Sequence, residues 1–126
     1  IGYRTLTVDA QSIVSENTTF LDTESYKTTA GDLSTFMASL ATGQIPLNTS
    51  SQARFTDALK RNVYRQGIPS GASGTVADKV GFLDGFLHDA AIVYGPNGTY
   101  ALSVMTEGSS WAAIAELTRE IEKLRQ

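Results

Sequence analysis

V-A-D-K-V-G-F-L-D-G-F, residues 76–86, is the run on which the architecture turns. Val76, Val80 and Phe82 are β-branched or aromatic at alternating positions, so the spacing predicts a half-buried strand across the whole run. Lys79 interrupts that pattern at its centre. An ammonium in mid-strand needs water or an anion within reach, because an unpaired buried charge is costly. Gly81 then removes a side chain, which marks a bulge or a place where a ligand approaches the backbone. A cation, a bare backbone and a strand edge together suit the rim of an anion-binding site.

Downstream, apolar runs at residues 90–94 and 100–105 flank Gly95-Pro96-Asn97-Gly98, a strong hairpin signal. With the first strand they predict a three-stranded antiparallel meander. Ser109 or Ser110 caps a last helix whose apolar stripe is Trp111, Ile114, Leu117, Ile121 and Leu124, a stripe that must pack on the sheet. His88 and Asp89 read as a solvated pair at the exposed end of a loop just before the second strand.

Upstream, Thr29-Ala30-Gly31-Asp32 caps a helix with Leu33, Phe36, Met37 and Leu40 on one face, and Gly43 ends it. Asn48 or Thr49 starts another helix, with Gln52 placed to close a capping box on Thr49 and Phe55, Ala58, Leu59 and Val63 forming its buried side. Residues 67–74, rich in Gly and Ser, read as a flexible loop. Nearer the start, residues 3–14 carry the spacing of a short amphipathic helix and residues 18–27 read as an irregular loop. The expected class is α+β, an α/β sandwich, as one domain over 1–126: a helical part at 1–66, then sheet and terminal helix at 67–126.

Composition narrows the function. The 126 residues are 41% hydrophobic and 18% charged with a net charge of −3, enough for one core and without the basic stripe that nucleic acid requires. Cysteine is absent and there is one histidine, so thiolate and His-rich metal sites are excluded, and no cofactor is expected. Residues 33–53 are uncharged, yet Gly43, Pro46 and many hydroxyl side chains rule out a membrane span. Three Asn-x-Ser/Thr sequons, at Asn17, Asn48 and Asn97, read as turn chemistry.

G-I-P-S-G-A-S-G-T-V-A-D-K-V-G-F, residues 67–82, resembles the segment carrying the third active-site motif, K-T-G, of class A serine β-lactamases and penicillin-binding proteins. The order of segments extends the likeness. Residues 88–106 resemble the two strands that follow that motif, the last helix stands in its expected place, and Y-K-T-T-A-G-D-L at 26–33 resembles the T-T-x-x-D-[LM] helix entry after the family's Ω-type loop. Two departures accompany the match. None of the four lysines has a Ser three residues before it, so the nucleophile motif S-x-x-K is absent, and Ser15-Glu16-Asn17 matches S-x-N only out of order.

The resemblance implies the C-terminal portion of a serine acyl-hydrolase of β-lactamase or DD-peptidase type, acting on β-lactams or D-Ala-D-Ala peptidoglycan peptides outside the cytoplasm of a bacterium. It implies that this chain alone is inactive, lacking the Ser. Lys79 would sit beside that Ser and attract the substrate carboxylate. Gly81 would let substrate lie against the strand, and the Phe82 backbone N–H would serve the oxyanion hole, a donor worth ~3 kcal/mol. Val80 stands where the family has a hydroxyl, losing a substrate hydrogen bond worth roughly 1 to 3 kcal/mol. Glu24, then Asp22, is the candidate base for deacylation, though the family's E-x-x-N pattern is missing and a solvated loop carboxylate is the other reading. The alternative is a non-catalytic penicillin-binding-like module that binds peptidoglycan or a protein partner. Because the family's last strand pairs with one from the N-terminal portion, an unpaired edge at residues 100–105 is expected to meet that portion, a swapped copy or an oligomer.

Overall fold

The computed structural model describes residues 28–126. Four helices and three strands follow one another as α1 (Ala30–Ala41), α2 (Thr49–Lys60), α3 (Ile68–Gly71), β1 (Thr75–Leu83), β2 (Phe86–Gly95), β3 (Gly98–Glu107) and α4 (Trp111–Leu124). The strands form the antiparallel meander that the alternation and the hairpin signal predict, in the order β1-β2-β3. The expected helix at residues 3–14, the loop at 18–27 and the candidates Glu24 and Asp22 lie outside the described residues.

The first strand is shorter than expected and the second longer. Asp84 and Gly85 both have positive φ, 48° and 85°, so D-G turns the chain inside the opening run and Phe86 already belongs to β2. That is the two-residue hairpin turn favoured by the twist of antiparallel strands. Leu83 pairs with Phe86, Gly81 with His88 and Lys79 with Ala90 in unbroken register, so Gly81 marks no bulge. The second hairpin closes with Gly95 paired to Gly98.

Side-chain alternation then sorts the core into two clusters. Val76, Ala91, Val93 and Val104 pack with Ile68 and Ile114 under α3 and α4. Ala77, Ala90 and Ile92 point the other way, onto Met37 and Leu40 of α1, Ile45 and Leu59 of α2. The sheet is therefore sandwiched between helices, which accounts for the apolar residues on both of its faces.

Local chemistry sets the helix ends. Thr29 Oγ1 accepts the Asp32 N–H at the start of α1, Asn48 Oδ1 accepts that of Ser51 at the start of α2, and Ser110 Oγ that of Ala113 at the start of α4. Gln52 closes no box on Thr49. Its amide instead donates to the Leu40 carbonyl and ties α2 to the end of α1. Of the apolar side expected on α2 only Leu59 is buried, while Phe55 and Val63 are exposed. On α4 the buried stripe is Ile114, Ala115 and Thr118, with Leu117 and Leu124 exposed. The rotation has a cause: α3 and α4 meet so closely at Gly71 that a Cβ there would lie 2.1 Å from the Ala115 carbonyl oxygen, so small side chains hold the contact. Residues 67–74 thus carry a short docked helix rather than a flexible loop. A further tie holds α4 at its other end, where Glu122 accepts the Ser73 N–H and the Tyr100 hydroxyl.

Candidate functional site

Lys79 and Gly81 share one face of β1, and Val80 and Phe82 the other, as strand periodicity demands. The Lys79 face looks toward α1 and α2. Here Lys79, Gly81 and His88 line a largely apolar cavity of about 770 Å³, walled by Leu33 and Phe36 of α1 and Phe55 of α2. Lys79 is exposed at this cavity and its ammonium donates to the Val80 carbonyl, so its charge meets a neutral dipole there. No atom comes within 4 Å of a Cβ added at Gly81, which leaves open space beside the bare backbone. Because β2 occupies only one side of β1, the other edge of β1 is unpaired among the described residues and presents backbone donors and acceptors.

Val80 and Phe82 face a second hollow. Phe82 is 52% exposed, so its side chain is not core, and Val80 is buried beside it. Phe82 meets Tyr64 and Trp111 edge to face, with ring centroids 5.4 and 6.3 Å away.

Between the two hollows lies a buried polar network that the sequence reading missed. Asp78 is wholly buried, ion-paired to Arg65 at 2.7 Å and hydrogen-bonded by the Asn62 amide at 2.9 Å. Arg65 also donates to the Val76 carbonyl, clamping the loop before α3 onto β1. Asp89, expected in a solvated loop end, is instead 1% exposed in mid-strand β2, where its Oδ2 accepts the Ile68 N–H at 2.9 Å. Its Oδ1 meets no donor, and the carboxyl within hydrogen-bonding reach is that of Asp78. Two facing acceptors are satisfied once one takes a proton. Burial, and then the Asp78 charge, push Asp89 up to about 8. Burial also raises Asp78, against the opposing charge of Arg65 and the Asn62 hydrogen bond. The proton therefore sits on Asp89, and Asp78 stays charged toward Arg65.

The signal for this network was present in the opening run. Asp78 falls in the same alternating set as Val76, Val80 and Phe82, so a buried face predicts a buried carboxylate, which then needs a cation. Arg65 could not be chosen from sequence, since the turn of α3 separates it from Asp78. His88 also sits within β2, its Nδ1 accepting the Thr106 N–H, so the two residues form no solvated pair. Among the described residues no group of three or more His, Asp or Glu side chains could hold a metal ion. No helix among them is long and apolar enough to cross a membrane.

Comparison with known proteins agrees with this architecture. The model of the β-lactamase enzyme family matches residues 1–124. Among solved structures, a mutant of PBP-A in an acyl-enzyme complex with penicillin G superposes with a TM-score of 0.80 at 26% identity, over 98% of this chain and 51% of that one. The β-lactamase of Francisella tularensis gives 0.80 at 20% identity, over 98% and 56%. That of Sphaerobacter thermophilus gives 0.76 at 17%, over 97% and 52%. The chain thus spans about half the length of the structures it matches. No curated protein matches it.

Proposed function

Because this chain belongs to the β-lactamase enzyme family, we propose that it supplies the lysine-bearing strand of a serine acyl-hydrolase acting on β-lactams or D-Ala-D-Ala peptidoglycan peptides, outside the cytoplasm of a bacterium. The nucleophilic Ser is contributed by sequence beyond these 126 residues, so the chain alone does not turn over substrate. The observation that carries the reading is the joint placement of Lys79 and Gly81 on one face of an edge strand, at the mouth of the large cavity.

In this reading the Lys79 ammonium draws in the substrate carboxylate and lies close to the attacking hydroxyl. Gly81 leaves room for substrate along the strand. The Phe82 N–H stabilises the oxyanion as the tetrahedral adduct forms, a preorganised donor aimed at developing charge. From its place in the sequence, Glu24, and next Asp22, is the candidate of this chain for the base of deacylation. The apolar walls of the 770 Å³ cavity and the edges of β1 and β3, unpaired among the described residues, suit packing against the N-terminal portion of the longer protein, with a swapped copy or an oligomer as other ways of covering them.

Labelling of the full-length protein with fluorescent penicillin tests the reading. Covalent labelling is expected, and Lys79→Ala lowers its rate by about ten-fold or more. Absence of labelling in a folded full-length protein overturns it. That result would favour the second reading, a non-catalytic module that binds peptidoglycan or a protein partner, which Val80 motivates because it offers no hydroxyl to the substrate.

A further inference from the structure

The loop between α2 and α3 is fastened to the sheet through the buried carboxyl pair. The Asn62 amide donates to Asp78 at 2.9 Å, Arg65 pairs with Asp78 at 2.7 Å, and the Ile68 N–H donates to Asp89 at 2.9 Å. Gly67 lies against the same group: a Cβ there would fall 2.5 Å from Asp89 Oδ2 and 3.3 Å from the Trp111 ring. The other ties of the loop run through Arg65, which donates to the Lys60 and Val76 carbonyls and whose own carbonyl accepts the Ser70 hydroxyl. Between these anchors Val63, Tyr64 and Gln66 wall a hollow of about 350 Å³ whose far side is Phe82 and Trp111. Nothing holds them from outside among the described residues, since Val63 is 82% and Tyr64 52% exposed.

The pair faces one cation and is built to carry one charge. Asp89 Oδ1 meets no donor and the carboxyl within reach is that of Asp78, so the closed arrangement needs a proton between them. No neighbouring element supplies a counter-charge for a second carboxylate. The loop offers Arg65, already paired, and α3 only the Ile68 N–H. From β3 it is Val104 that stands opposite Asp89. On α4, Arg119 is held by Glu116 and the Ser70 carbonyl, Lys123 by Glu120, and Glu122 by Ser73 and Tyr100. Lys79 and His88, next to the two acids in sequence, lie on the opposite face of the sheet. We propose that residues 62–67 form a strap that the protonated pair holds closed and that lifts from the sheet when the pair takes its second negative charge, uncovering the ring-lined hollow in alkaline solution. The proton passes from the Asp89 carboxyl to water. Two unrelieved carboxylates then stand within hydrogen-bonding reach in a buried site, and lifting the strap hydrates them while both core clusters stay intact. Opening stops at Ile68, which is fully buried among Val76, Val93 and Ile114. The closed form binds a proton that the open form has released, so it is favoured at low pH and is lost as pH rises through the folded value of Asp89, about 8. The strap is independent of the acyl-hydrolase reading.

Hydrogen–deuterium exchange of the full-length protein tests this, read by mass spectrometry on peptides covering residues 61–68 and corrected for the pH dependence of intrinsic exchange. Between pH 6 and 9 the protection of that segment is expected to fall by about ten-fold or more, because the ratio of closed to open forms falls by up to ten-fold per pH unit below the folded value. Protection of β2 and β3 is expected to change by less than about two-fold, since local opening leaves the rest of the fold in place. In folded Asp89→Asn, whose amide donates to Asp78 without a titrating proton, the protection of residues 61–68 should not depend on pH. The native protein alone is enough to overturn the proposal: protection of the segment that stays constant from pH 6 to 9, or that falls in step with β2 and β3, removes the strap. An equal fall in folded Asp89→Asn overturns it too, by assigning the response to another group.

Discussion

Replacing Asp89 by Asn removes the proton held by the buried carboxyl pair while leaving the shape of the site unchanged. The amide oxygen can still accept the Ile68 N–H, and its NH2 can donate to Asp78, the role the shared proton fills in the native pair. Asp89 has its pKa raised from 3.8 to about 8 by burial and then by the Asp78 charge, so between those values the folded state holds a proton that the unfolded state has released. Stability from this group is therefore fully present below about pH 4, falls as pH rises, and is lost once pH has passed through the folded value near 8. The slope is about 1.4 kcal/mol per pH unit, and the whole loss is on the order of 6 kcal/mol. Asp89→Asn has no such slope. Urea unfolding at pH 5, 7 and 9 should show comparable stability of the two proteins at pH 5 and an Asn variant more stable by several kcal/mol at pH 9. A native protein whose midpoint does not fall between pH 5 and 9, or an Asn variant less stable than native at pH 9, would refute the shared-proton account.

Arg65→Gln leaves the charge of Asp78 buried with only neutral donors, the Asn62 amide and the Asp89 proton, and should cost about 3 kcal/mol in urea unfolding at pH 7, much of it recovered when Asp78→Asn is added. Gly71→Ala forces a methyl against the Ala115 carbonyl, 2.1 Å from its oxygen, and should lower stability by about 2 kcal/mol or more, read from the thermal midpoint. Gly81→Ala meets no atom within 4 Å, so the unfolding free energy should move by less than about 0.5 kcal/mol, while penicillin labelling of the full-length protein slows by about ten-fold if substrate lies against that backbone.

The meander, its second hairpin and the caps of α1 and α4 could be read from sequence because each is specified within a few residues: alternation for the strands, turn residues for the hairpin, and a hydroxyl three residues before an N–H for each cap. The Asp84-Gly85 turn was equally local, and it was missed because the run was read as one strand by its apolar residues, when D-G is itself a hairpin signal. Lys79 and Gly81 could be singled out for the same reason. Their types and spacing belong to one short segment.

What sequence alone determined about this protein is the order and kind of its elements, and which residues of a strand share a face. What only the tertiary structure decided is what those faces meet. Asp89 looked solvated because nothing adjacent in the chain buries it, and its burial comes from Ile68 and Asp78, 21 and 11 positions away. The buried stripe of α4 was turned from Leu117 to Ala115 and Thr118 by a contact with Gly71, more than forty residues earlier. The ring cluster beside the candidate site joins a loop, a strand and a helix in the same way. Periodicity is a property of neighbours along the chain, whereas burial and proton sharing depend on groups brought together through space by packing.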